Sequence, residues 1–404
     1  MSVTTIHNVP GGVTAPRGFT AAGVAAGIKN GKKDMALLCA DREAAAAGVF
    51  TTNRVKAAPV LVTMEHLRSG RARAVVMNSG NANACNGIRG VEDARAMAAA
   101  VGELLNVPAE QVLVASTGVI GQPLPMDRVL AGIRRAAAEL SRAGGADAAA
   151  AIMTTDTFTK EAAVRVELGG AGVTIGGMAK GSGMIHPNMA TMLCFITTDA
   201  AITPAMLKKA LAAVVDCTFN MITVDGDTST NDMALALAGG AAGNRLVDAE
   251  GPDFAAFCAA LEQVCRRLAV DIARDGEGAT KLLEVRVQGA RSRRDARLAA
   301  RAVAASNLVK TAVFGEDANW GRVLCAAGYS GAEFNPDMVD IFIGDVKVAE
   351  NGGSLPFSEE RAAGVLARDH VIITLDFKSG DCAATAWGCD LTYDYVRING
   401  SYRT

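Results

Sequence analysis

Strands and helices alternate along this chain without a regular βαβ rhythm, and that irregularity limits the fold more than any other feature. Val75–Met77 and Val112–Ala115 are short apolar runs that each enter a polar or glycine-rich turn, the pattern of buried strands. Ala163–Leu168 and Val173–Gly177 read as strands around a Gly169-Gly170 turn, and another is expected over Thr191–Thr197. Later strands are expected near Lys281–Val287, Val339–Ile343 and Val371–Phe377. Helical periodicity covers Val91–Leu105, Met126–Leu140, Phe254–Ile272 and Arg293–Ala305. A further helix runs over Thr203–Cys217, with Thr203 as its N-cap and Pro204 at its first position. The Ala143–Ala150 stretch reads as a loop running into a helix. The chain has 404 residues, too many for one ordinary core, so two lobes are expected. The mixture implies an α+β, layered α/β protein with mixed sheets rather than a Rossmann fold. Neither a G-x-G-x-x-G turn between strand and helix nor a phosphate-binding G-x-x-x-x-G-K-[ST] loop is present.

Composition narrows the function classes. Lys and Arg number 40 against 42 Asp and Glu, so no basic surplus is available for a nucleic acid. Aromatic residues make up 4%, which leaves no platform for stacked bases, while abundant Ala and Gly imply close backbone packing. No run approaches the ~18 consecutive apolar residues that span a bilayer, and no basic-then-apolar leader is visible, so a cytoplasmic protein is expected. The nine cysteines are scattered without a C-x-x-C pair, which argues against a zinc ribbon or a dithiol redox site. Cys258 and Cys265 should share a helix face as small apolar groups. Cys85, in an Asn/Gly loop, is a candidate reactive thiol.

The segment Lys180–Thr197 carries the most chemical information. Met178–Asn188 reads as a loop that contains Lys180-Gly-Ser-Gly183 and Pro187, and Thr191 then begins an apolar strand. If the Ala190-Thr191 peptide is strained, the Thr191 hydroxyl can attack the preceding carbonyl, and small Ala190 leaves room for it. Hydrolysis of the resulting ester would free an α-amine with a reference pKa of about 7.7–8.0. That amine can act as base for its own hydroxyl without a histidine. From spacing alone, an ordinary strand threonine beside a glycine turn is the simpler reading.

Longer motifs change that balance. Asn78-Ser-Gly-Asn-Ala-Asn-Ala-Cys85, Ser116-Thr-Gly-Val-Ile-Gly121, the Lys180–Thr191 block, Asp225-Gly-Asp-Thr-Ser-Thr-Asn-Asp232, Phe314-Gly-Glu-Asp-Ala-Asn-Trp-Gly321 and Asp390-Leu-Thr-Tyr-Asp-Tyr-Val-Arg-Ile-Asn399 occur in one order. Together they resemble the ornithine acetyltransferase (glutamate N-acetyltransferase) family over essentially the whole chain. The resemblance implies the two-lobed mixed-sheet fold of that family. It implies self-cleavage between Ala190 and Thr191, giving an alpha chain (1–190) and a beta chain (191–404). Thr191 is then the nucleophile that carries acetyl from N-acetylornithine to glutamate in a ping-pong cycle. Thr117 and Gly118 match the family's oxyanion-stabilising pair, and a strand-end turn there suits such a role. Thr154, Lys180, Thr191, Glu277, Asn399 and Thr404 match its substrate-binding positions. By spacing alone, Lys180 and Glu277 would read as solvated loop charges. The resemblance implies no cofactor and no metal, and it leaves open acetyl-CoA as a second donor. It also implies a heterotetramer of two alpha and two beta chains. An amidohydrolase or aminopeptidase using the same threonine chemistry is the alternative.

Two departures stand out: Asn86 where threonine is common after Cys85, and Gly400-Ser401 beside Asn399. The Asp225–Asp232 run superficially resembles a calcium loop, but Thr230 occupies its glycine position and Ala236 its bidentate glutamate position. It is not expected to bind calcium, and lone His186 is expected to be structural.

Overall fold

The computed structural model describes residues 5–186 and 192–401. Nine strands form the larger sheet: β1 (Ile6–Asn8), β2 (Phe19–Val24), β3 (Met35–Phe50), β4 (Arg71–Asn81), β5 (Val112–Val119), β6 (Lys160–Leu168), β7 (Ala171–Lys180), β8 (Leu193–Thr198) and β9 (Met233–Ala238). Their order is β1-β6-β7-β8-β9-β3-β4-β5, with β2 paired to β3. The smaller sheet contains β10 (Leu282–Ala290), β11 (Asp340–Ile343), β12 (Val346–Glu350), β13 (Gly353–Ser354), β14 (His370–Asp376) and β15 (Cys382–Cys389), ordered β13-β12-β11-β14-β10-β15. Only β4–β5, β8–β9 and β10–β14 pair in parallel within these two sheets. The fold is therefore layered α+β with mixed sheets and is not a Rossmann sheet, as expected.

The middle of the larger sheet is buried on both faces, which is why its strands read as continuous apolar runs. In β8, Leu193 and Phe195 enter one core with Met178 and Leu235. Cys194 and Ile196 point the other way, into a core shared with helices Pro204–Cys217 and Pro252–Arg274. A third core packs Leu37, Val76 and Val114 against helices Gly87–Leu105 and Met126–Ala138. The Ala/Gly composition serves close approach. At Gly176, an added Cβ would lie 2.0 Å from the carbonyl oxygen of Gly12.

Thr203 caps its helix by accepting the Met206 N–H, and Arg293–Ala305 is helical over the expected span. Cys265 is fully buried and Cys258 half-buried on one helix, where burial pushes the Cys258 thiol up to about 11. Cys85 is exposed. Two expectations need correction. Met178–Lys180 complete β7 instead of opening a loop, because Met178 and Ala179 pair with both β6 and β8 and Lys180 pairs with β8. Ser116–Gly118 lie inside β5 and not in a turn, although a register shift against β4 distorts the strand there.

Candidate active site

One wall of the site comes from the parallel ends of β4 and β5. Gly118 has φ +131°, and a Cβ on it would sit 2.4 Å from the carbonyl carbon of Gly80. Only glycine allows this approach. The irregular register makes Asn81 face both Thr117 and Val119, the kind of bulge that re-aims side chains at a strand end. Buried amides hold the distortion. Ser116 Oγ donates to Asn78 Oδ1 (2.6 Å), and Asn231 Nδ2 donates to the carbonyls of Ala82 (2.6 Å) and Ser116 (2.8 Å). The Thr117 hydroxyl has no hydrogen-bond partner among the described residues and borders the cavity.

Charge enters from β7. Lys180 is 3% exposed and donates to Thr154 Oγ1 at 2.7 Å, with Asp156 Oδ2 at 3.8 Å. Burial pulls its pKa below the ordinary lysine value, and the Asp156 charge offsets only part of that. Asp156 is itself buried, which pushes its carboxyl up. The Lys180 and Lys160 charges outweigh that burial and hold it below the usual carboxylate range. Lys160 is fully buried and bonds both Asp156 Oδ1 (2.8 Å) and Asp275 Oδ2 (2.5 Å). These ties fasten the strand ends to the turns that carry Thr154 and Glu277, so the site rests on a buried ionic base.

The opposite wall comes from the turn after Pro252–Arg274 and from helix Tyr393–Ser401. Glu277 is 7% exposed, its N–H donates to the Ser182 carbonyl (3.0 Å), and Asn399 Nδ2 donates to its Oε2 (2.8 Å). Ser182 Oγ in turn donates to the Asp275 carbonyl at 2.7 Å. Asp225 is a brace for the loop before residue 187, accepting the N–H groups of Met184 (2.6 Å) and Ile185 (2.8 Å). His186 Nδ1 lies 3.2 Å from Thr223 Oγ1, and burial lowers its pKa, favouring the neutral ring.

Thr117, Gly118, Thr154, Lys180, Glu277 and Asn399 all border one cavity of about 210 Å³. Ala190, Thr191 and Thr404 lie outside the described residues. Lys180 and Glu277 are not solvated loop charges: a β7 end and a buried turn withdraw them from water. Lys180 is the one cation bordering the cavity among the described residues, facing Asp225, Asp227 and Glu277. This polarity suits a small zwitterion with a second cationic group. Lys160, Asp156 and Tyr395, the last of which also borders the cavity, were missed from sequence. The i, i+4 spacing of Asp156 and Lys160 was visible, but nothing in it signals burial.

A sequence model of the ArgJ family matches residues 20–404. The chain is similar to the arginine biosynthesis bifunctional protein ArgJ of Symbiobacterium thermophilum, at 63% identity over 397 residues, 98% of this chain and 99% of that one. The protein of the same name from Caldanaerobacter subterraneus subsp. tengcongensis is 57% identical over 398 residues, again 98% of this chain and 99% of the relative. A crystal structure of arginine biosynthesis bifunctional protein argJ from Bacillus halodurans matches with TM-score 0.50 and 51% identity. That match covers 52% of this chain and 98% of the crystallised one.

Proposed function

This chain belongs to the ArgJ family, and from that premise we propose that it transfers acetyl from N-acetylornithine to glutamate through an acetyl ester on Thr191. Self-cleavage between Ala190 and Thr191 first produces chains 1–190 and 191–404. The Thr191 hydroxyl then attacks the acetyl carbonyl and gives its proton to the neighbouring α-amine. The Thr117 hydroxyl and the Gly118 N–H steady the oxyanion, the bond to nitrogen breaks, and the departing ornithine amine takes the proton. Glutamate enters and its α-amine attacks the ester, returning Thr191 to its starting state. Lys180 holds the α-carboxylate common to both amino acids, with Thr154 beside it. Glu277, oriented by Asn399, pairs with the side-chain ammonium of ornithine, and Thr404 completes the carboxyl-terminal side. No cofactor is required, and acetyl-CoA serves as a second donor, in keeping with the bifunctional names of the relatives. We also assign the protein to the cytoplasm, as two copies of each chain; no described helix is long and apolar enough to cross a membrane.

The observation that carries this reading is convergence: six candidate residues from five separate chain segments border one cavity. The start of β8 two residues after Thr191 agrees with it. The test is Thr191→Ala, expected to remain whole on a denaturing gel and to transfer no acetyl. A variant that still splits and keeps near-normal activity overturns the assignment. Release of free acetate as the main product, with little acetylglutamate, indicates the amidohydrolase instead.

A further inference from the structure

Asp232 is the last residue before β9 and has no assigned part in the chemistry above. It is 1% exposed. Its Oδ1 accepts the Met192 N–H at 3.0 Å, while its Oδ2 is buried without a hydrogen-bond partner among the described residues. The cause is the parallel register of β8 and β9, which sets Leu193 opposite Met233 and so brings residues 192 and 232 side by side at the strand starts. A carboxylate oxygen left bare in a protein interior is costly unless a donor or a cation arrives to meet it.

Covalent geometry says where one can come from. Three bonds separate the Met192 nitrogen from the nitrogen of the residue before it, so no backbone conformation parts them by more than about 4 Å. We propose that Asp232 is the positioning residue for the α-amine that scission releases at Thr191: Oδ1 anchors the next amide, and Oδ2 accepts one N–H of the amine. This rests on the reading of Thr191 given above. In the uncut chain the same nitrogen is an uncharged amide. Burial then pushes the Asp232 carboxyl well above the ordinary aspartate range and favours its neutral form. Scission supplies the basic group that makes the carboxylate worth ionising. The Met192 and Ser229 backbone N–H groups and the Thr51 side chain, just after β3, favour the charged carboxylate, and Lys180 from β7 is the charged group acting on it; burial outweighs them together. With one N–H held, the amine's lone pair has a fixed direction, as a base for its own hydroxyl requires.

The test is Asp232→Asn, with intact mass to score cleavage and kcat/KM followed against pH. The carboxylate raises the pKa of the amine beside it, and the amine must be deprotonated to act. Removing the charge therefore moves the acidic limb of the profile to lower pH. Misdirecting the amine lowers kcat by roughly 100-fold, while KM for N-acetylornithine stays within about twofold because no substrate contact is lost. Asp232→Glu keeps the charge and returns the limb to its wild-type position. An Asp232→Asn enzyme that splits and shows an unmoved limb and wild-type kcat overturns the proposal. So does one that fails to split, since the residue would then act before any free amine exists. Should that variant not fold, cyanate labelling of the wild-type Thr191 amine against pH decides: the proposal requires an apparent pKa above the reference of about 8.0, and a value at or below it refutes the pairing. Wild-type protein that is unsplit sinks the Thr191 reading itself, whereas a split, active wild type with an indifferent Asp232 sinks only this one.

Discussion

Lys180 illustrates how one buried side chain ties binding to pH. Its ammonium sits on Thr154 and near Asp156, and burial draws its pKa below the ordinary value. As pH rises through that lowered value the charge disappears, and with it the attraction for a substrate carboxylate. KM for glutamate is expected to climb on the alkaline side earlier than an exposed lysine would allow. A charge-assisted hydrogen bond contributes about 1.5–3 kcal/mol, so Lys180→Ala should raise KM for both amino acids by roughly 10- to 150-fold and flatten that climb. Initial-rate kinetics from neutral to alkaline pH check both, and unchanged KM values remove Lys180 from the site. Gly118 is constrained by space instead. A methyl group there meets the Gly80 backbone at 2.4 Å in a left-handed conformation. Gly118→Ala should cost more than about 1 kcal/mol of stability, measured by denaturant titration, and should lower turnover by about 100-fold or more through the displaced N–H.

At the level of elements, β7, the turn at 154–157 and the turn at 275–278 are joined by Asp156, Lys160 and Asp275. Breaking a buried ion pair from one side leaves uncompensated charge and costs about 3–5 kcal/mol. Lys160→Met should lower the denaturation midpoint accordingly, and the accompanying drift of Lys180 should raise KM. Asp156 is held below the ordinary carboxylate range, so its contribution is present above the unfolded-state pKa of about 3.9 and is lost as pH falls toward the folded value. Acid unfolding followed by circular dichroism should show this loss in the wild type and a shallower slope in Asp156→Asn. This cluster also marks where sequence reading stopped. Helix Arg293–Ala305 and the Thr203 cap were legible because periodicity and capping are local. Strands β3 and β9 were missed: apart from the exposed Asp41-Arg42-Glu43, β3 up to Ala47 and all of β9 are buried, so neither the Ala44–Ala47 run nor Met-Ala-Leu-Ala-Leu-Ala carries an apolar/polar alternation. Thr117, Lys180 and Glu277 were legible only through motif resemblance, because nothing local distinguishes a buried lysine at a strand end from a solvated one in a loop.

For the whole molecule, the proposed cut falls inside the larger sheet and not between lobes. Chain 1–190 would supply β1 to β7 and chain 191–404 would supply β8 and β9, joined by the β7–β8 and β3–β9 ladders. Each half would expose a sheet edge and shared core without the other. The two products should therefore elute together on a native column and separate only in denaturant; separation under native conditions contradicts this topology. The central claim is that Thr191 carries the acetyl group. Acid-quenching the enzyme with N-acetylornithine in the absence of glutamate, then measuring intact mass, tests it most directly. The account predicts a 191–404 fragment heavier by one acetyl group, localised to Thr191 and discharged on adding glutamate. An unsplit chain in active enzyme, or a fragment that stays unmodified while ornithine is released, contradicts it.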